Sequence, residues 1–410
     1  MRKFYHTVIS AEFFFAVFLF VGYFKEVVNF PIDLAAVFLA FTILAVLKRL
    51  YFLPHISKVY FLPVGLILLF MMYLIFGYFY SPNIIAAQEK VLKIIVLTIP
   101  AAILPFFILN KKENVRRLAD SIVVISAFSA LAILPVAINS ISGVGFVGYG
   151  DGNYQGLARL TGAGLVFLAF YHFNETKRSS DRIGYSILIL IFSFVLLSTG
   201  SRMPIIALGI LVIYYLATSI KVFKHSLYMK KEVKPIIGLL ILLVPFLTVA
   251  INKGYFSTVF NRFEILFSDG GGTSAAERVH RFDSSLSMWG DRPIAGNGTG
   301  SFGYLYNGTN QNDYPHNIVL ELLVENGLIG LILFIFLITQ VLYFLIKVKS
   351  QKLYSPLLTA CVFFLVYFFI NAMVSGDINS NRMFFASISI LLTSCILMLD
   401  RNKEKISKTY

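Results

Sequence analysis

Apolar residues in this chain fall in long runs, not in strict alternation or narrow stripes. A helix needs about 20 apolar residues to cross a hydrocarbon core of ~30 Å. Twelve runs meet or nearly meet that length: roughly 4–24, 31–47, 59–80, 91–109, 119–139, 160–173, 183–198, 203–220, 235–251, 327–346, 355–375 and 382–399. The pattern predicts an all-α polytopic membrane protein with about 12 transmembrane helices. No small-residue cleavage site follows the first run, so it reads as a retained span and not a signal peptide. No internal repeat or low-complexity segment stands out.

The polar intervals are short, apart from a Gly-rich loop at 140–159 and one long segment between runs nine and ten. The chain thus divides into spans 1–251, a large loop 252–316, and spans with a tail, 317–410. Loops above ~12–15 residues are usually functional or disordered, and here the composition is not that of disorder. Val259, Phe260, Phe263, Leu266 and Phe267 recur at the spacing of an interfacial helix. Asp269-Gly270-Gly271-Gly272 breaks it, and Ser274-Ala-Ala-Glu277 reads as a capping box opening a second helix. Val279, Phe282, Leu286 and Trp289 form that helix's apolar stripe, and Gly290 its stop.

Composition adds that 58% of the 410 residues are hydrophobic and 14% charged, with a mean hydropathy of +0.78. Soluble domains carry roughly a quarter charged residues, so a water-exposed multidomain enzyme is excluded. A net charge of +14 would suggest nucleic acid in a soluble chain, but here its placement matters more. Of 35 Lys and Arg, 24 lie at the termini or in loops of one parity, from Arg2 and Lys3 through Lys111–Arg117 and Lys221–Lys234 to Lys408. That bias puts both termini and those loops in the cytoplasm and the loop 252–316 outside. Nucleic acid is not an expected partner. Cys361 and Cys395 sit inside apolar runs and form no credible disulfide or metal framework.

Eleven basic residues remain on the other face. Lys25, Lys90 and Lys93 at span ends, and Lys253 and Arg262 flanking the interfacial helix, read as side chains that snorkel to headgroups. Arg281 and Arg292 lie in the loop with no helical position that aims them. Arg202 stands in Thr199-Gly-Ser-Arg-Met-Pro204, where Ser201 suits an N-cap and Pro204 fits the first turn. Free N–H groups, the helix dipole and a guanidinium would converge there on a phosphate; an interfacial, snorkelling Arg is the alternative. Arg159 opens the sixth run from the same side, and Arg278 falls at the edge of its helix's apolar stripe. His316 ends the loop, Asn317 would cap the next helix, and Glu321 and Glu325 then share one face at i, i+4. His316 is a satisfied structural group or a general base sharing a membrane face with three arginines. The two glutamates are a solvated face or partners of those arginines.

A Walker loop, a Gly-x-Gly-x-x-Gly on a strand, His-Glu-x-x-His and Asp-x-Asp pairs are all missing. No metal and no cofactor is expected. Chemistry on the outer face lacks nucleotide donors, which favours a lipid-linked one.

Four stretches resemble the O-antigen ligase and polysaccharide polymerase superfamily, of the Wzy and WaaL type. They are Arg159-Leu-Thr-Gly162; Ser198-Thr-Gly-Ser-Arg202; Glu277-Arg278 with Trp289 and Arg292-Pro-Ile-Ala-Gly296-Asn-Gly298; and His316-Asn317 through Glu325-Asn-Gly327-Leu-Ile-Gly330. Arg292 stands where His is common. The resemblance covers residues 159–330 and implies a GT-C-like fold. It implies transfer of a glycan from an undecaprenyl-diphosphate-linked donor to a hydroxyl, in a bacterial cytoplasmic membrane. Arg159, Arg202 and Arg278 would hold the diphosphate and His316 with Arg278 would act catalytically. Ser201, Asn317, Glu321, Glu325, Arg281 and Arg292 would support the site or the acceptor. Beyond the bilayer and the lipid-linked glycan, a chain-length regulator is the expected partner. Polymerisation of repeat units leads, with ligation to a lipid core or protein as the sister activity. A cell-division-type peptidoglycan polymerase ranks lower, since the His-Asn and Thr-Gly-Ser-Arg signals lack counterparts there. A flippase would call for repeat symmetry and mid-span charge, which this chain largely lacks.

Overall fold

In the computed structural model, the described residues are 7, 9–24, 32–52, 58–140, 145–148, 153–223, 226–229, 233–268, 272–311 and 313–407. Arg2, Lys3, Lys25, Lys224, Lys230, Lys231, Lys408 and the Asp269–Gly271 break lie outside them.

In chain order the helices are α1 (Ala11–Phe24), α2 (Leu34–Phe52), α3 (Lys58–Tyr80), α4 (Ile84–Ile108), α5 (Lys112–Asn139), α6 (Tyr154–Glu175), α7 (Ser179–Ser198) and α8 (Arg202–Ser219). A short antiparallel pair, β1 (Ile220–Phe223) and β2 (Ser226–Met229), follows. Next come α9 (Lys234–Asn252), α10 (Ser257–Ser268), α11 (Gly272–Asp291), α12 (Phe302–Asn307), α13 (Ile318–Ser350), α14 (Pro356–Ala372) and α15 (Arg382–Ser407). The chain is an all-α polytopic membrane protein. Within the described residues, each of the twelve apolar runs falls on a helix. Among the described residues nine helices are long and apolar enough to cross a membrane, or ten if the pair α9 and α10, bent by 94°, counts as one. Helices α1 and α14 are apolar but shorter.

Two compact units divide the chain. The first takes residues 1–38, 116–268 and 355–367. At its centre is α6, whose apolar run looked short because its residues from Gly156 to Phe167 are all buried inside the protein. A helix surrounded by protein does not need a lipid-compatible surface, and small residues let its neighbours approach. Gly162 leaves room for the Tyr367 hydroxyl, which donates to the Ala158 and Arg159 carbonyls at 3.2 and 3.3 Å. Gly164 makes room for Ser126 and Phe192, and Ser126 Oγ donates to the Leu160 carbonyl at 2.9 Å.

The second unit takes residues 39–115, 269–354 and 368–410. Its long helix α13 is broken at Gly327, where φ is 61° and ψ is −161°. A break exposes backbone groups that lipid cannot satisfy. The preceding strap, Pro293–Gly298, satisfies them. Leu328 and Ile329 N–H donate to the Pro293 and Ile294 carbonyls at 2.8 and 3.2 Å. Asn297 and Gly298 N–H donate to the Val324 and Glu325 carbonyls at 2.7 and 2.9 Å. The strap can lie this close because Gly296 and Gly298 adopt positive φ and carry no Cβ; one at Gly296 would strike the α13 backbone.

The segment 272–291 is helical as predicted, but it starts at Gly272, so Ser274 lies inside the helix and does not cap it. Gly290 is likewise its penultimate residue and not its stop.

Replacing Gly327 by Ala forces a Cβ into the Ile294 carbonyl at a backbone conformation reserved for glycine. We expect a loss of at least ~2–3 kcal/mol. Gly290→Ala, with open space around it, should be neutral or stabilising by about 0.5–1 kcal/mol. Thermal unfolding in detergent distinguishes the two; equal melting temperatures would contradict the strap's role.

Candidate functional site

In the first unit the elbow between α7 and α8 is built from hydroxyls and one glycine. Thr199 Oγ1 donates to the Leu196 carbonyl at 2.6 Å and accepts from Ser201 N–H at 3.2 Å. Gly200 turns the chain at φ +69°. Ser201 occupies the N-cap position, as expected, but its hydroxyl makes no capping bond. Arg202 is the first residue of α8 and only 8% exposed. Its guanidinium donates to the Arg262 carbonyl at 2.9 Å, and Arg262 returns a bond to the Gly200 carbonyl at 2.8 Å.

Arg262 therefore corrects its prediction. It does not simply snorkel; α10 carries it back onto the elbow, where it also lies 5.1 Å from the Phe146 ring centroid. Phe146 stacks on Tyr154 at 4.2 Å, at the start of α6. Thr258, from α10, bonds both backbone groups of Gly145. Arg159 sits in the second turn of α6, 6% exposed. Helices α6 and α8, which carry Arg159 and Arg202, pack against each other.

The second unit brings His316 together with Arg278 and Arg281. Arg281 is held tightly: its guanidinium meets Asp313 at 2.6 Å and Glu277 at 3.0 Å, donates to the Tyr314 carbonyl at 3.0 Å, and lies 4.9 Å from the Tyr306 ring. It clamps α11 to the segment leading into α13, an aim that sequence position did not reveal. Alongside it, His280 meets the Tyr306 hydroxyl at 2.8 Å. Helix α11 turns Ser285 inward and leaves Val279 and Leu286 58% and 48% exposed. Only that edge of its apolar stripe is exposed, since Phe282 and Trp289 are half-buried, as is Arg278 beside them.

His316 adopts φ +62°, unusual for a residue with a side chain. Its ring meets Tyr314 edge-on at 4.7 Å, and its Nδ1 is buried without a hydrogen-bond partner. Burial, then the charges of Arg281 and Arg278, hold its pKa below the usual value of 6.5, against the opposing pull of Asp313 and Glu277. Asn317 caps α13 as predicted, accepting from Val319 and Leu320 N–H at 2.9 and 3.1 Å, while its amide donates to the Met373 carbonyl at 3.1 Å. Arg292 is exposed at the start of the strap and is not among the charges acting on His316.

Glu321 and Glu325 are neither a solvated face nor partners of the arginines. Both are fully buried and bind Lys90 of α4, at 2.5 and 2.7 Å. Lys90 is fully buried too and does not snorkel. Glu321 also accepts from Ile378 N–H at 3.2 Å. The i, i+4 spacing correctly places both carboxylates on one face, but the face turns inward, because a buried Lys must be paired. The signal available in sequence was a lysine inside a span together with two acids inside another. Lys93, one turn on, pairs with Glu89 at 2.5 Å and remains half-exposed.

With fold and side chains in place, the class is a multi-pass helical membrane protein whose charged side chains gather at chain breaks and helix starts. Residues 187–335 match the family model described as O-antigen ligase, in line with the motif resemblance to the O-antigen ligase and polysaccharide polymerase superfamily. No curated protein and no solved structure matches the chain. The matched stretch contains the elbow, α11, the strap, His316 and the break at Gly327; Arg159 precedes it.

Lys90→Met leaves two carboxylates buried without their cation. It should cost about 3–5 kcal/mol, read as a collapse in the yield of monodisperse protein. Adding Glu321→Gln and Glu325→Gln should restore most of that yield. A single variant as stable as wild type would contradict the triad's structural role.

Proposed function

We propose that the chain is a membrane glycosyltransferase of this superfamily that polymerises undecaprenyl-diphosphate-linked repeat units of an O-antigen, capsule or exopolysaccharide. It works on the outer leaflet of a bacterial cytoplasmic membrane, with both termini inside, inverts the anomeric centre, and uses no metal. The observation that carries this reading is His316: a buried, unpartnered ring nitrogen held at a strained backbone position beside Arg278 and Arg281. Strained residues of this kind concentrate at functional sites.

In this reading the acceptor hydroxyl attacks the anomeric carbon, its proton passes to His316, and the bond from that carbon to the diphosphate oxygen breaks. The diphosphate leaves with its lipid. A ring kept neutral at physiological pH is ready to accept the proton. Negative charge grows on the leaving group, and Arg159, Arg202 and Arg278 are assigned to stabilise it through charge-assisted hydrogen bonds. Ser201 shapes the elbow, Asn317 fixes the helix start behind His316, Arg281 positions Arg278 and His316, and Arg292 is left for the acceptor. Further support comes from an apolar cleft of about 400 Å3 in the first unit, walled by Leu134, Ile138, Ile191, Phe194, Phe246 and Val249, which suits a prenyl chain.

The ligase reading draws on the description of the matching family itself. A deletion strain separates the two. Single-repeat surface glycans support polymerase; long, unattached lipid-linked chains support ligase and overturn polymerase.

Arg202→Ala and Arg278→Ala should each lower kcat/KM by roughly 10²–10³-fold with membrane insertion intact. Arg278→Lys should also be damaging, because a point charge does not replace a forked contact. Normal activity in these variants would remove the diphosphate assignment. His316→Ala should lower kcat by about 10²–10⁴-fold with little change in donor KM. Protonation disables a base, so wild-type kcat/KM should fall on the acid side with an apparent pKa below 6.5, as the depressed value at His316 requires. An acid limb at or above 6.5 would argue against His316.

A further inference from the structure

A second cavity in the second unit takes no part in the assignments above. It measures about 310 Å3, and its walls include Glu89 and Lys93 of α4, Tyr314, Asp377, Asn379, and Arg382 at the start of α15. We propose that this cavity seats a sugar ring of the acceptor glycan; the inference rests on the role given above to His316.

The charge pattern selects the ligand class. Two carboxylates and two cations balance one another, so the cavity favours neither an anion nor a cation. A diphosphate placed there would face Glu89 and Asp377. A neutral polyhydroxyl ring, in contrast, needs donors and acceptors side by side, which Lys93 and Arg382 supply against Glu89 and Asp377. The Tyr314 ring adds an apolar face for the C–H side of a sugar.

The walls are also held in place before any ligand arrives. Asn379 accepts from the Thr98 hydroxyl at 2.8 Å and donates to the Lys90 carbonyl at 3.1 Å. Asp377 accepts from Ser380 N–H at 2.8 Å. The Lys90 triad therefore lies directly behind the cavity, and Glu321 fixes Ile378 in the same turn.

Position assigns the ring to the acceptor. Tyr314 is a wall of the cavity, and its ring is the one that meets His316 edge-on at 4.7 Å. The Tyr314 carbonyl is bonded to Arg281, so the shared wall is clamped. A sugar bound here is one aromatic ring away from the proposed base, where a hydroxyl to be deprotonated belongs.

Glu89→Gln, Lys93→Met and the double variant test this, since both side chains are about half-exposed and removing them leaves the fold intact. The full chain in nanodiscs is given the lipid-linked repeat unit extracted from its own strain as donor. The same repeat unit, freed of its diphosphate lipid by mild acid, is titrated as acceptor. The expected result is an acceptor KM raised about tenfold in the double variant, with donor KM and kcat within about twofold of wild type. An unchanged acceptor KM, or a donor KM rising in parallel, would overturn the acceptor cavity. His316→Ala is assayed alongside. If it loses turnover while the acceptor KM of the double variant stays put, the cavity alone is wrong; if it keeps wild-type turnover, the underlying role of His316 fails as well.

Discussion

A helix can break inside a membrane protein only where protein, not lipid, completes its hydrogen bonds. That constraint governs the break in α13 at Gly327. The strap Pro293–Gly298 supplies the missing partners, three of its bonds at 2.7–2.9 Å. Just before the break, Glu325 and Glu321 hold Lys90 with all three side chains fully buried. Backbone satisfaction and charge pairing thus fix the same two turns of helix, at whose start Asn317 and His316 stand. The residues of the second unit to which the proposal gives chemistry inherit their positions from that anchor.

The polar residues of the chain divide by what they touch. Most Lys and Arg lie at the termini or in loops of one parity, the pattern of a sidedness bias. A smaller group is structural despite its charge: Lys90 with its two glutamates, Arg262 on the Gly200 carbonyl, and Arg281 between Asp313 and Glu277. What is left for chemistry in the proposed mechanism is a short set, Arg159, Arg202, Arg278 and His316. Arg202 opens α8 and His316 precedes the cap of α13, while Arg159 and Arg278 lie in the second turns of α6 and α11. Such positions offer precision without the cost of placing free charge at the bilayer midplane.

Much of this was legible in the residues. Long apolar runs dictate spanning helices, so within the described residues all twelve runs fall on helices. Asn317 caps where an Asn before an apolar run should, whereas the close backbone approach at Gly296, Gly298 and Gly327 emerges only with the fold. Hydropathy misjudged α6 because it measures compatibility with lipid, and this helix meets protein instead. The Ser274 box failed because Ser274 lies inside the helix and not ahead of it. Lys90, Arg262 and Arg281 were misread or left unaimed for one reason. Apart from Glu277 beside Arg281, their partners lie far off in sequence, and a solitary side chain is compatible with headgroups, water or a carboxylate until the fold supplies its neighbour. Arg382 and Asp377, in a turn too short to attract notice, became visible only as cavity walls.

The most direct test of the account follows bond formation and leaving group together. The purified chain, reconstituted with its own lipid-linked repeat unit and a metal chelator, is sampled for glycosidic bonds formed and for polyprenyl diphosphate released. One diphosphate lipid per new bond, with both products lost in His316→Ala, is the predicted result. Repeat units that cross the bilayer with no bond formed, or bonds that form only when a nucleotide sugar is added, would contradict it.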